Sequence, residues 1–189
     1  MNIAKLKKVL EDGGVVMHPT ETCYGLAVDV FNKRALEKLY RLKKMDKSKP
    51  VSILVDSLAM AEEFGVFSDK AFMLAKKYWP GPLSLIVPRK RSLPDFLNPG
   101  NEFVSIRFSA DDFCRKMVSA LGRPLTTTSA NRTGEPQLYC ADEDYFGGEV
   151  DLVVDGGEIR KNKPSTIVKV FGDELSIVRQ GDLVLEGQV

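Results

Sequence analysis

Four polar groups fall where the chain's apolar runs end, and each could handle an anion: Thr20 with Thr22, a lysine loop, Ser129 to Asn131, and Ser165 with Arg179. A fifth candidate, Arg107, interrupts the otherwise apolar run over 103–108. A buried or half-buried guanidinium needs a carboxylate or phosphate partner. An internal Asp or Glu would meet that need, and so would the anionic part of a ligand. Lys43, Lys44, Lys47 and Lys49 could hold a polyphosphate or form a solvated charged face. Ser129-Ala130-Asn131 suits a loop whose hydroxyl and amides bind an anion, but these residue types also cap and turn. His18, the single histidine, reads as structural, because neither a nucleophile nor an orienting group accompanies it.

Several other chemistries are excluded. Neither G-x-x-x-x-G-K-S/T nor G-x-G-x-x-G occurs, so a nucleotide site would be built without either phosphate-binding loop. Cys23, Cys114 and Cys140 are widely spaced, and with one histidine they make no standard zinc set. They are expected to be reduced thiols. The net charge of +1 argues against a general attraction to polyanions and leaves room for a local basic cleft. No run approaches the roughly 18 apolar residues of a membrane span, and the N-terminus has no apolar core of signal-peptide length. A cytoplasmic protein with no membrane partner is expected.

The elements that position these groups alternate between helix and strand for two-thirds of the chain. At 189 residues it is expected to form one domain with a sizeable core. Asn2 is predicted to cap a helix over Ile3–Glu11, ended by Gly13-Gly14. A strand over 15–17 runs into Pro19, which removes a backbone donor and biases His18 toward an extended conformation. The polar stretch that follows is either a ligand loop at a strand end or a surface strand-to-helix connection. A short strand over 26–28 comes next. Asn32, Ser57, Ser68 and Asp111 or Asp112 are predicted to start four further helices. Strands are predicted over 51–55, 83–87, 103–108, 124–128 and 150–154, with a hairpin around Gly172-Asp173. Residues 182–189 are expected to form a poorly ordered tail. The pattern implies a mixed sheet with helices packed on it.

Six stretches then carry a resemblance. His18-Pro19-Thr20-Glu21-Thr22-Cys23-Tyr24-Gly25-Leu26 resembles a P-T-D/E-T-x-Y-G-L signature, and Trp79-Pro80-Gly81-Pro82-Leu83-Ser84 resembles W-P-G-P-L-T. Thr128-Ser129-Ala130-Asn131 with Gly134 is similar to P-S-A-N-x-S-G. Asp155-Gly156-Gly157, Pro164-Ser165-Thr166-Ile167-Val168 and Val178-Arg179-Gln180-Gly181 follow in the same order as D-G-G, S-T-I/V-V/I and I/L-R-x-G. Together they identify the chain as a member of the YrdC/YciO-like family, the threonylcarbamoyl-adenylate synthases, in the form without an accessory C-terminal domain.

The resemblance implies an α/β fold over 1–181, with a twisted open mixed sheet, flanking helices and a basic cleft, followed by the 182–189 tail. It implies a nucleotidyltransferase that joins L-threonine, bicarbonate or CO2, and ATP into threonylcarbamoyl-adenylate and pyrophosphate, toward the t6A base of tRNA. Mg2+ would accompany ATP, with no metal site of the protein's own. Thr22, Arg107 and Ser165 would bind threonine. Lys43, Lys49, Ser129, Asn131 and Arg179 would bind ATP, and no residue would act as a covalent nucleophile. The t6A transferase machinery is implied as downstream acceptor, and tRNA or double-stranded RNA as a further partner.

The sequence departs from the family pattern at five positions. Met45 stands where an ATP-binding arginine is expected, and Leu54 where many members place a histidine. Phe103 falls near a threonine and Gln137 near a serine, while Thr128 replaces a proline. These changes are expected to cluster in the pocket. The Lys-Lys-Met-Asp run is similar to the YciO-like branch. It implies an alternative, a nucleic-acid-binding or regulatory paralogue with weak or no synthase activity.

Overall fold

Five helices and nine strands make up the described residues, 2–186, of the computed structural model. In chain order they are α1 (Ile3–Glu11), β1 (Val16–His18), β2 (Gly25–Ala27), α2 (Lys33–Leu42), β3 (Ser52–Val55), α3 (Leu58–Phe64) and α4 (Asp69–Tyr78). There follow β4 (Leu83–Pro88), β5 (Phe103–Phe108), α5 (Asp112–Leu121), β6 (Leu125–Ser129), β7 (Leu152–Val153), β8 (Thr166–Phe171) and β9 (Glu174–Arg179).

Each helix starts where a short polar side chain satisfies a free amide of the first turn. Asn2, Asn32, Ser57, Ser68 and Asp111 all accept such bonds, from Ala4, Ala35, Met60, Ala71 and Cys114. Gly122 closes α5 with φ of 73°, a left-handed conformation that suits a residue without a Cβ.

The strands form one mixed sheet in the order β7-β1-β2-β6-β3-β5-β4-β8-β9. The pairs β1–β7, β3–β5 and β4–β8 are parallel, and the others antiparallel. Side chains alternate between the two faces. One face, with Met17, Ile53, Val55, Leu85, Ile106 and Val168, packs under α2, α3 and α4. The other, with Val16, Ala27, Leu54 and Leu125, packs under α1 and α5. That second layer has only two helices and does not reach across the sheet. Where it stops, the alternate residues turn small and polar: Ser52 on β3, Ser84 on β4, Arg107 on β5 and Thr127 on β6.

Three regions differ from expectation. The stretch after β1 is no strand-to-helix connection. His18 pairs with Gly25 across an antiparallel hairpin, so 19–24 is a loop between two strands of the sheet. The predicted strand over 150–154 shrinks to Leu152–Val153, and just before it the Asp151 carboxylate accepts from Val15 N at 2.7 Å. The tail packs back through residue 186. Leu185 is buried, and Thr166 Oγ1 donates to Leu183 O at 2.7 Å. Glu186 N donates to the Tyr78 hydroxyl at 3.1 Å. Residues 187–189 of the expected tail lie outside the described residues.

Candidate active site

The bare patch of the second face is the floor of a cavity of about 250 Å³. Its walls come from the 19–24 loop, the end of β6 and the segment that enters β8. Register sets the floor: Ser84 lies opposite Arg107 on one side and Ile167 on the other, Ser52 opposite Thr127, and Gly25 opposite Ser129.

The 19–24 loop is almost sealed, with Thr20, Thr22, Cys23 and Tyr24 all buried. A buried loop must satisfy its own backbone, and Thr20 does so. Its Oγ1 accepts from Thr22 N (3.1 Å) and Cys23 N (3.2 Å) and donates to Cys23 O (2.7 Å). That commits the Thr20 proton, so the Thr22 hydroxyl is the donor across the 3.0 Å between the two threonines. Tyr24 fastens the loop to 155–157. Its hydroxyl donates to Gly157 O at 2.8 Å and accepts from Gly156 N at 2.8 Å. A Cβ on Gly156 would come 2.8 Å from the Pro19 ring, so the two motifs meet where only glycine fits. The wall at 164–181 closes the same way: a Cβ on Gly181 would lie 2.1 Å from Pro164 O.

Arg107, 7% exposed, is the cation of this end. Its Nη2 lies 3.0 Å from Glu21 Oε1 and donates to Thr22 Oγ1 at 3.3 Å, while its buried Nε has no partner. The internal carboxylate that one sequence reading called for is therefore present. That carboxylate meets the charge at Nη2, and Arg107 also lies on the cavity lining. Burial alone would raise the Glu21 carboxyl. The Arg107 charge and the Ser109 hydroxyl outweigh it and hold the carboxyl below its ordinary range.

Arg179, at the opposite wall, donates through Nε and Nη2 to Ser165 O at 3.0 and 2.9 Å, and through Nη2 to Ser165 Oγ at 3.0 Å. Burial, then the Arg107 charge, lower its hold on its proton. The Ser165 hydroxyl, which accepts from Arg179, has its own proton left for Ser84 Oγ at 3.1 Å or for a ligand.

Of the expected site residues, Thr22, Arg107, Ser129, Ser165 and Arg179 thus meet on one lining. Lys43, Asn131 and Lys49 are not on it. Lys43 is 3% exposed, and its ammonium donates to Ser129 O, Asn131 O and Asn131 Oδ1. Burial draws it down to about 8. Asn131 is spent as well: Oδ1 accepts from Ser129 Oγ at 2.6 Å, and Nδ2 donates to Glu135 O at 2.7 Å and Arg132 O at 3.1 Å. Lys49 is exposed beside the rim residue Pro50.

The departures from the family pattern do not cluster in the cavity as expected. Thr128 and Gln137 line it; Met45, Leu54 and Phe103 do not. Met45 packs against the core below α2, α3 and α4. Leu54 neighbours Arg107 in register but is buried in the α1–α5 cluster. Phe103 lies four residues up β5 from Arg107, edge-on to Phe171.

The sequence reading missed Glu21, Ser84 and Ser52. The signal was present for the serines, as small polar residues at alternate positions of apolar strands. His18 is buried: its Nδ1 lies 2.8 Å from Pro19 O, its Nε2 has no partner, and burial lowers its pKa to about 4. The three cysteines are free. Among the described residues, no cluster of His, Cys, Asp and Glu could hold a metal ion, and no helix is long and apolar enough to cross a membrane.

The Sua5_yciO_yrdC family model, described as telomere recombination, matches residues 8–181. The chain belongs to this family. The threonylcarbamoyl-AMP synthase of Thiobacillus denitrificans is 35% identical over 166 residues, which span 86% of this chain and 88% of that protein. The crystal structure of Pyrococcus abyssi Sua5 complexed with L-threonine superposes with a TM-score of 0.91 at 29% identity. The match covers 98% of this chain and 56% of that one, so this chain spans little more than half of that protein's length. Escherichia coli YciO shares the fold, with a TM-score of 0.88 at 23% identity over 97% of this chain and 91% of its own.

Proposed function

We propose that this chain is an L-threonylcarbamoyladenylate synthase, a nucleotidyltransferase of the cytoplasm. The observation that carries the proposal is one cavity whose lining brings together Thr22, Arg107, Ser129, Ser165 and Arg179, in a chain 35% identical to a threonylcarbamoyl-AMP synthase.

Threonine enters with its carboxylate toward Arg107. Arg107 is nearly stripped of water, which makes a charge-assisted bond to its guanidinium strong. Thr22 and Ser165 fix the rest of the amino acid. The amine takes up CO2, which forms a C–N bond and releases a proton. A carbamate oxygen then attacks the α-phosphorus of ATP, and the bond to pyrophosphate breaks as the new P–O bond forms. Two anions must approach each other, so the chain's task is to position and neutralise them. Arg107 faces the carboxylate and Arg179 the phosphates. No side chain need become covalently attached.

The cavity is slightly below the roughly 300 Å³ at which small-molecule sites begin. Most of the nucleotide therefore extends through its mouth, past the Ser129 loop. Lys43 and Asn131 support that loop from behind. The lining carries no carboxylate and so offers no ligand set for Mg2+. In this reading the ion arrives on the phosphates as part of the substrate. The labile adenylate passes to the t6A transferase machinery and from there to tRNA. Leu54 and Phe103 lie off the lining, which counts against an inactive paralogue.

The test combines the protein with ATP, Mg2+, bicarbonate and L-threonine. Pyrophosphate release that requires both threonine and bicarbonate is expected. Its absence from folded protein, beside an active control, overturns the proposal.

A further inference from the structure

Glu21 has no part in the mechanism above, yet both oxygens of its carboxylate are held. Its Oε2 accepts from Ser109 Oγ and its Oε1 from Ala110 N at 3.4 Å. Its own carbonyl accepts from Asn162 Nδ2 at 3.2 Å. These bonds fix the carboxylate against the end of β5 whether or not Arg107 is present. Oε1 then meets Arg107 Nη2 at 3.0 Å, with 21% and 9% of the two side chains exposed. Arg107 is held at that one nitrogen, by Glu21 and Thr22, and its Nε is unpartnered.

A long arginine side chain free to sample rotamers must be ordered when it grips a ligand, and that ordering subtracts from affinity. Pinning one nitrogen removes the cost beforehand and leaves the other N–H groups available. We propose that Glu21 is a positioning residue. It holds Arg107 by Nη2, keeps the remaining guanidinium donors directed at a substrate carboxylate, and so sets the preference for amino acids with a free carboxylate. The inference rests on the reading of Arg107 as the carboxylate grip.

The experiment measures binding of L-threonine and of L-threoninamide, which lacks the carboxylate, by calorimetry. The proteins are the wild type, Glu21→Gln, Glu21→Asp and Ser109→Ala. The wild type is expected to prefer threonine. Glu21→Gln should weaken threonine by about tenfold, the scale of one loosened charge-assisted contact, with threoninamide nearly unchanged. Glu21→Asp should restore the preference, since the family signature admits either acid. Ser109→Ala, a milder change should Glu21→Gln fold poorly, should shift it in the same direction by less. If the wild type prefers threonine and Glu21→Gln keeps that preference in full, or loses both ligands equally, the inference is overturned and the Arg107 reading survives. A wild type that does not distinguish the two ligands overturns the Arg107 reading, and this inference with it.

Discussion

Arg107 and Lys43 are both nearly closed off from solvent, at 7% and 3% exposure, and their charges are met in different ways. Arg107 has a carboxylate at 3.0 Å and a buried Nε with no partner. Lys43 has no carboxylate; two carbonyls and an amide oxygen of the Ser129–Asn131 loop take up its ammonium. A planar fork can be pinned by one edge and still offer another, whereas a point charge with three donors is spent once three oxygens surround it. The difference separates a cation with a donor left unpartnered from one whose donors are all taken up by a wall of the cavity.

The comparison is easiest to break at Arg107. Arg107→Ala should raise the threonine concentration needed for half-maximal pyrophosphate release by about 100-fold, the scale of a lost bidentate ion pair, and move the ATP requirement far less. Equal effects on both substrates in steady-state assays would remove the distinction between the two cations.

Lys43 is tested by the pH dependence of stability. Its folded-state pKa of about 8 lies below the model value of 10.5. Between these values the unfolded chain holds more protons, so the Lys43 contribution makes stability rise with pH, by up to about 3 kcal/mol. Lys43→Met should abolish that rise in urea unfolding measured from pH 7.5 to 10.5. An identical slope in both proteins would show that the ammonium is solvated.

Gly181→Ala would place a Cβ 2.1 Å from Pro164 O and 2.8 Å from Thr166 N, with backbone on both sides. A loss of about 2 kcal/mol by denaturant unfolding is expected, along with a raised ATP requirement, because Arg179 and Ser165 move apart. The smallest effect is expected at Phe103. Phe103→Thr restores the family's residue type, removing the edge-on contact with Phe171 and the Lys169 ammonium 3.9 Å above the ring. Stability should fall by about 1 kcal/mol, and the threonine requirement should stay within about twofold. A larger kinetic effect would place this end of β5 in the site after all.

Much of the fold was legible because its signals are local. Asn2, Asn32, Ser57 and Ser68 sit at helix starts where a side-chain oxygen can reach a free amide, and Gly122 ends α5 where φ turns positive. Alternation in 103–108 marked β5 and singled out Arg107 as a polar residue on one face of a strand. The 19–24 loop was misread as a possible route to a helix. The short strand after it, β2, was expected, but its antiparallel pairing with β1 and with β6 lies beyond any local pattern. That the Lys43 ammonium turns into the Ser129–Asn131 loop is something no sequence can show.

The chain's own order of residues determined which elements form and which groups could meet an anion, since capping, periodicity and glycine punctuation act over a few residues. It also carried the family motifs, including the glycines whose reason is steric. Tertiary structure alone decided how the candidates divide. Two helices cover only part of one sheet face, so Ser52, Ser84, Arg107 and Thr127 remain open as a floor. The approach of residue 21 to residue 107, and of residue 43 to residue 129, then fixes which cation is free and which is consumed. Those contacts join positions 86 residues apart in sequence, beyond the reach of any local pattern.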